Sequence, residues 1–215
     1  KGEDVAELRR RVGMVFQYPE HQLFEETVER DIAFGPQNMG LSKDEISRRV
    51  DYAISLVGLD KALLKRSPFE LSGGEKRRAA IAGVLAMKPE ILILDEPSAG
   101  LDPMGRDEIL DRIAQIQKER KITVILVSHS MEDVARFASH VLIMNHSKAV
   151  MYGETREIFK RVDELCEIGL EVPQISRVFA KLREKGYEVP ESVLTVAEAK
   201  EAMLKLLGKG GKENA

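Results

Sequence analysis

Two short motifs constrain what this chain can fold into more than any other feature of its sequence. Residues 71–75 read Leu-Ser-Gly-Gly-Glu, and residues 91–97 read Ile-Leu-Ile-Leu-Asp-Glu-Pro. The four apolar residues that begin the second motif are typical of a strand covered on both faces, as in a parallel sheet with helices on each side. A phosphate-binding loop of the form G-x-x-x-x-G-K-[ST] does not occur in the 215 residues. The motifs therefore predict an α/β domain without this loop.

The pattern that follows the second motif predicts a βαβ unit. Residues 122–127 form another continuous apolar run, and residues 103–120 between the two runs carry Ile109, Ile113 and Ile116 at helical spacing. Such units are right-handed almost without exception. Further strands are predicted at residues 12–16, 140–144 and 149–152. Further helices are predicted at 27–64 (broken at 35–36 and at 40), 76–87, 131–138, 155–162, 173–185 and 196–207.

Composition and charge limit the classes of function. The chain has 43% hydrophobic and 32% charged residues, as expected of a globular protein. Its net charge of -3 argues against binding nucleic acid by phosphate neutralisation, and we interpret the basic runs at residues 9–11 and 76–78 as solvated helix faces. No apolar run reaches the roughly 18 residues of a membrane span, so any membrane role is expected to be peripheral. The single cysteine, Cys166, fits a reducing cytoplasm.

An acidic pair directly follows the predicted strand at residues 91–94. Asp95 and Glu96 lie where α/β proteins place groups that handle ligands. Nucleotide hydrolysis needs one carboxylate to hold Mg²⁺ and an acceptor for the proton of the attacking water. Two adjacent carboxylates can divide those tasks, because successive residues of a strand point in different directions. The alternative is a solvated acidic turn at the end of a strand.

The glycine motif admits both a functional and a structural interpretation. Ser72 and Glu75 have the spacing of a capping box, which stabilises a helix start by about 1 kcal/mol. Gly73 and Gly74 lie inside the first turn, where each costs about 1 kcal/mol relative to Ala. Because a capping box does not require two glycines, we expect the bare backbone to approach a phosphate at the helix N-terminus.

Two further polar residues end predicted strands. His129 follows the apolar run at residues 122–127, beside the strand that carries the acidic pair if the sheet is parallel. An imidazole there can reach a terminal phosphate and the attacking water, although a lone histidine at a strand end is more often structural. Gln17 ends the first predicted strand, where an amide can bind Mg²⁺ or orient water.

Together these motifs resemble those of the ABC ATPases. Residues 71–75 resemble the signature motif, with Glu75 in place of the usual Gln, and residues 91–96 resemble the Walker B strand with its catalytic glutamate. Residues 98–102 resemble the D-loop. Gln17 and His129 match the Q-loop glutamine and the switch histidine. The resemblance implies an α/β fold of the P-loop NTPase type, with a parallel-sheet core, an inserted helical subdomain at about 18–88 and a C-terminal helical extension, and with the N-terminal part of the core missing.

A finer resemblance covers three segments. Residues 15–24, 31–36 and 66–74 are similar to the ATPases of energy-coupling-factor (ECF) transporters, which power uptake of vitamins and transition-metal ions. This implies an ABC ATPase domain without its phosphate loop at residues 1–153. It also implies a helical extension at 154–215 that contributes to the dimer contact and ends in a flexible tail from about 208.

The resemblance also implies ligands, roles and partners. ATP and Mg²⁺ are the expected cofactors. The partners are a second ABC ATPase subunit (identical or paralogous), a transmembrane coupling subunit and a substrate-binding membrane subunit, at the cytoplasmic face of the cell membrane, without nucleic acid. The implied roles are catalysis by Glu96, His129 and Gln17, nucleotide contact by Ser72, Gly73, Gly74, Glu75 and Asp102, and Mg²⁺ binding by Asp95 and Gln17.

Without the phosphate loop, the chain's own half-site is expected to bind ATP poorly, while its signature motif completes the site of a partner. An acidic face formed by Glu20, Glu25, Glu26 and Glu29 is a hypothetical receiver for basic residues of the coupling helix, and plain solvation explains the same glutamates. Two alternatives stay open. One is a non-catalytic or truncated partner subunit that supplies only the signature half-site, and the other is a soluble ABC ATPase outside transport.

Overall fold

The computed structural model describes residues 2–210. They form two compact units, which divide between Val127 and Ser128. The predicted division into an ATPase domain at 1–153 and an extension at 154–215 is a statement about the family's domains and stays a prediction.

The first unit contains the predicted parallel sheet. Its strands are β1 (Val12–Val15), β2 (Ile91–Asp95) and β3 (Thr123–Val127), arranged in the order β1-β2-β3 with both pairs parallel. The helix α5 (Pro103–Arg120) connects β2 to β3, which confirms the βαβ unit. Because parallel neighbours end at the same edge, the register of Asp95 opposite Val127 places the acidic pair at the carboxyl edge of the sheet.

The remaining helices of the first unit pack on one another and on the sheet. α4 contacts α2, α3 and β1, and Gly13 of β1 allows this approach, since a Cβ there would lie 2.5 Å from the Val84 side chain. Short 3-10 turns occupy Pro19–Gln22, Lys61–Lys65 and Pro68–Glu70. The helices are α1 (Gly2–Arg11), α2 (Val28–Asn38), α3 (Lys43–Val57) and α4 (Gly73–Leu85).

The helix α2 corrects one prediction, because it runs through Gly35 and Pro36 without a break. Pro36 lies in the last turn of α2, so its lack of an N–H removes only one hydrogen bond near the end of the helix. Its side chain is buried. Gly35 allows the Met87 side chain to pack closely, since a Cβ would lie 2.7 Å from its Cγ atom. The predicted break at Gly40, with φ of 73°, is confirmed as the turn between α2 and α3.

The sheet is buried mainly on one face, so the prediction of strands covered on both faces is wrong for β3 among the described residues. Val15, Leu92 and Leu94 are completely buried on the face toward α4, but Ile125 and Val127 of β3 are 47% and 48% exposed. A continuous apolar run does not distinguish these two arrangements.

The second unit combines a hairpin with helices. β4 (His140–Asn145) and β5 (Lys148–Glu154) pair antiparallel, as the predicted edge hairpin requires. One buried cluster contains Ile143, Phe159 and Leu165, and another contains Phe179. The helices are α6 (Met131–Phe137), α7 (Thr155–Lys160), α8 (Val162–Glu167), α9 (Gln174–Glu184) and α10 (Val196–Gly210).

The end of the chain differs from the prediction by a few residues. α10 continues through Gly210, so residues 208–210 are helical rather than part of the predicted tail from about 208. The rest of that tail, residues 211–215, lies outside the described residues. Within the described part of the chain, no helix has the length and apolar character needed to cross a membrane.

Candidate functional site

The acidic turn after β2 is the first part of the candidate site. Asp95 is the last residue of β2, and both Asp95 and Glu96 are half-buried. Glu96 has a φ of 46°, a left-handed conformation that costs a non-glycine residue about 1–3 kcal/mol. Its N–H donates to Val127 O at 3.0 Å, and its carbonyl accepts from Ala99 N at 3.0 Å. The neighbouring strand and the following turn therefore fix the strained position of Glu96.

The N-terminus of α4 is the second part. Ser72 and Glu75 form a complete capping box: Ser72 Oγ accepts from Glu75 N at 3.3 Å, and a Glu75 carboxylate oxygen accepts from Ser72 N at 2.8 Å. The Ser72 hydroxyl also donates to this oxygen at 2.7 Å. These bonds, the hydroxyl first, hold the pKa of the Glu75 carboxyl below its ordinary value. The interpretation of Ser72 and Glu75 as a capping box is therefore confirmed.

The capping box does not account for the glycines. A Cβ added to Gly73 or Gly74 would meet nothing within 4 Å, and neither residue has a positive φ. Neither packing nor backbone conformation within the described residues therefore requires glycine at these two positions. The approach of a phosphate to this bare backbone stays a prediction.

Asp102 has a structural role that the sequence analysis missed. It is the N-cap of α5, where its Oδ1 accepts from Gly105 N at 2.8 Å, and Pro103 follows as the first helical residue. An Asp-Pro pair before a periodic run is a recognisable signal for such a cap. Asp102 is exposed, and its nucleotide contact stays a prediction.

Gln17 lies just beyond the end of β1, which finishes at Val15 rather than at the predicted residue 16. Its side chain is exposed. The next residue, Tyr18, has a φ of 57°, and its ring approaches the turn after Glu96, with Cε1 3.7 Å from where a Cβ on Gly100 would be. Gln17 therefore belongs to a strained loop that lies against residues 98–102.

Arg77 is the principal residue that sequence analysis missed. The run at 76–78 was expected to be a solvated helix face, yet Arg77 is only 2% exposed. Its guanidinium donates to both carboxylate oxygens of Glu20 at 3.1–3.3 Å and to Pro97 O at 3.1 Å. Three segments therefore meet at Arg77: α4, the loop after β1 and the turn that follows Glu96.

His129 belongs to the second unit, where it is exposed and precedes α6. The adjacent Ser130 caps this helix, since its hydroxyl accepts from Asp133 N at 3.2 Å. The predicted cooperation of His129 with Glu96 stays a prediction.

An open groove of about 520 Å³ lies in the first unit between α1, α2, α4 and the loop after β1. Its wall includes Phe24 and Phe34, which are 60% and 41% exposed and meet edge-to-face at 5.0 Å. The carboxylate of Asp31 holds the loop by accepting from Phe24 N at 3.1 Å and Glu25 N at 3.2 Å. Burial raises the pKa of Asp31, and these two bonds oppose the rise.

The two carboxylates after β2 are compatible with binding Mg²⁺. Among residues 2–210 there is no group of three or more His, Cys, Asp and Glu side chains placed to hold a metal ion. Mg²⁺ is usually held by one or two carboxylates together with substrate phosphates and water, rather than by a protein cage. The half-buried carboxylate of Asp95, beside that of Glu96, fits such a site.

Comparison with known proteins agrees with this geometry. The sequence pattern of the ABC transporter family matches residues 1–99. The energy-coupling factor transporter ATP-binding protein EcfA2 of Clostridium tetani is 55% identical over 203 residues, which are 94% of this chain and 70% of that protein.

Solved structures lead to the same family. The structure of cbiO1 from Clostridium perfringens, part of the ABC transporter complex cbiONQ, superposes with a TM-score of 0.70 at 39% identity, covering 84% of this chain and 71% of that one. A dimeric bacterial ABC transporter cassette superposes with a TM-score of 0.62 at 25% identity, over 73% and 68% of the two chains. This chain belongs to the energy-coupling factor transporter ATP-binding proteins, within the ABC ATPases.

Proposed function

We propose that this chain is the ATP-binding and ATP-hydrolysing subunit of an ECF-type importer, which takes up a vitamin or a transition-metal ion. The observation that carries the proposal is the acidic turn at the carboxyl edge of β2, in a chain 55% identical to an ECF transporter ATP-binding protein. Open α/β sheets bind their ligands at this edge, outside the carboxyl ends of the strands.

Glu96 is the proposed general base. Its carboxylate follows the strand end in a backbone conformation fixed by Val127 O and Ala99 N, so it is positioned to accept the proton of a water that attacks the terminal phosphate. Asp95 holds Mg²⁺, which would neutralise phosphate charge when bound. Gln17 and His129 orient the attacking water and the phosphate.

The signature residues serve a second ATPase subunit. The bare backbone of Gly73 and Gly74, at the N-terminus of a 13-residue helix, offers N–H groups and a favourable dipole to a phosphate. In this arrangement Ser72, Gly73, Gly74 and Glu75 contact a nucleotide held mainly by the partner ATPase, and Asp102 lies at the interface. Residues 154–215 add to the dimer contact.

The groove between α2 and α4 is the proposed docking site of the membrane coupling subunit. Exposed aromatic side chains in a concave site are typical of an interface anchor, and Phe24 and Phe34 supply two. The acidic face near the groove is smaller than expected, because Glu20 points inward to Arg77 and Glu26 pairs with Arg30 at 2.5 Å. Glu25 and Glu29 remain as candidates to receive basic residues of a coupling helix. In this proposal the chain acts at the membrane's cytoplasmic face, where it meets the coupling subunit.

The test is ATP turnover by the chain joined to the phosphate-binding loop of an ECF relative and mixed with a partner ATPase, with and without Mg²⁺, so that the half-site containing Glu96 can hold ATP. We expect Mg²⁺-dependent turnover, and we expect Glu96→Gln to lower kcat by at least about 10²-fold while ATP still binds, because the proton acceptor alone is lost. Turnover that Glu96→Gln leaves intact would remove Glu96 from the mechanism. If Glu96→Gln retains turnover but Gly73→Asp abolishes it, the chain contributes only its signature motif to the site of the partner ATPase.

A further inference from the structure

Arg77 makes two polar contacts that together join three segments of the first unit. It belongs to α4, four residues after the first helical glycine of the signature motif. One edge of its guanidinium faces Glu20, with N–O distances of 3.1–3.3 Å, and Nη1 donates to Pro97 O at 3.1 Å. Pro97 directly follows Glu96, so Arg77 is fixed to the turn that carries the proposed base.

A second contact joins the same loop to the same turn. Tyr18 lies two residues before Glu20, and its ring is placed against Gly100, which has a φ of 75°. The loop from Gln17 to Gln22 is therefore held against residues 96–101 at two points, the Arg77 guanidinium and the Tyr18 ring. Gln22 also lines the groove between α2 and α4, so this loop extends from the groove to the acidic turn.

Burial of an ion pair has a large cost in desolvation free energy. Desolvation of both charges offsets most of their attraction, and an apolar pair of similar size often stabilises a protein as well or better. Arg77 is 2% exposed and Glu20 is 19% exposed at the side chain, so the pair carries that cost. What an apolar pair cannot supply is a directed bond to a carbonyl beside Glu96.

We propose that Arg77 is a positioning residue for ATP hydrolysis: anchored by Glu20, it holds the Pro97 carbonyl and thereby the Glu96 carboxylate. The proposal rests on the proposed function. Arg77 itself touches neither nucleotide nor water in this role. It acts because small displacements of a catalytic group, about 1 Å, lower rates by about 10²-fold.

The experiment measures kcat and KM for ATP in the chain joined to the phosphate-binding loop of an ECF relative and assembled with its partner ATPase and membrane subunits, so that the half-site containing Glu96 holds ATP. For Arg77→Met we expect a fall in kcat of roughly 10- to 100-fold with KM changed less than about threefold, because nucleotide binding is retained while the base is displaced. Arg77→Lys, which keeps one directed bond, should recover part of kcat. Glu20→Gln, which leaves the bond to Pro97 possible, should lose less than Arg77→Met.

The matched control is Arg49, another largely buried arginine. It pairs with Glu45 at 3.0 Å and donates to Ala86 O and Met87 O, at the opposite end of α4. Arg49→Met should lower Tm as Arg77→Met does but leave kcat within about twofold. The proposal is overturned if the two variants lose kcat in proportion to their loss of Tm, or if Arg77→Met and Glu20→Gln both retain kcat.

Failure of this proposal is distinguishable from failure of the proposed function. If Glu96→Gln abolishes turnover and Arg77→Met does not, only the role of Arg77 is wrong. If Glu96→Gln is active, the assignment of Glu96 is wrong, and Arg77 then positions no base.

Discussion

At the scale of single residues, Asp31 shows how a buried carboxylate shapes the groove. Burial raises its pKa, although two backbone N–H groups favour the charged form. The folded chain therefore binds the Asp31 proton more tightly than the unfolded chain does, so this residue's contribution to stability is largest below the ordinary pKa of about 3.9 and falls as pH rises through the raised value.

Asp31→Asn should remove that pH dependence. The amide oxygen can still accept from Phe24 N and Glu25 N, so the variant should gain stability relative to the parent chain as pH rises from about 4 to 7. Urea unfolding at several pH values measures the difference. Asp31→Ala is the control, and it should cost about 1–3 kcal/mol throughout because it leaves both N–H groups without their acceptor. Parallel pH curves for the parent and Asp31→Asn would contradict the prediction.

At the scale of elements, the first turn of α4 is a place where a substitution should raise stability but lower activity. Gly73→Ala meets no steric obstacle and has no positive φ to satisfy, so it should stabilise the chain by about 0.4–1 kcal/mol. The same methyl group should obstruct the approach of a phosphate and lower ATP turnover with the partner ATPase. Thermal unfolding and turnover, measured on the same variant, are expected to change in opposite directions. A higher Tm with unchanged turnover would mean that no ligand approaches this backbone.

The elements also show what sequence patterns can and cannot predict. The β2-α5-β3 unit was predictable because its apolar runs and the spacing of Ile109, Ile113 and Ile116 are local signals. The burial of Arg77 was not, since its neighbour Arg78 has the same chemistry and remains partly exposed with Glu108. Only the tertiary positions of Glu20 and Pro97 distinguish the two arginines. Likewise, the passage of α2 through Pro36 depends on packing, which overrides local propensity.

At the scale of the whole molecule, the groove and the acidic turn have separable roles. A substitution that weakens binding of the membrane subunit at the groove should leave ATP hydrolysis at the acidic turn unchanged. Phe24→Ala removes a ring that is 60% exposed and rests on Phe34. We expect it to weaken assembly with the membrane coupling subunit by at least about 10-fold, as loss of an aromatic anchor does. ATP turnover by the ATPase pair without membrane subunits should stay within about twofold.

The control for this prediction is Phe69, which is 73% exposed and does not line the groove. Phe69→Ala removes a comparable ring, so it should leave the affinity for the membrane subunit unchanged if the groove is the docking site. Copurification with the membrane subunit, followed by titration of the purified partners, measures both variants. Equal weakening by the two substitutions would show that general loss of exposed aromatic surface matters, and not the groove. Because Glu20 belongs to the 3-10 turn Pro19–Gln22 and Phe24 lies two residues after it, a groove variant that binds normally yet loses turnover would instead implicate the loop held by Arg77.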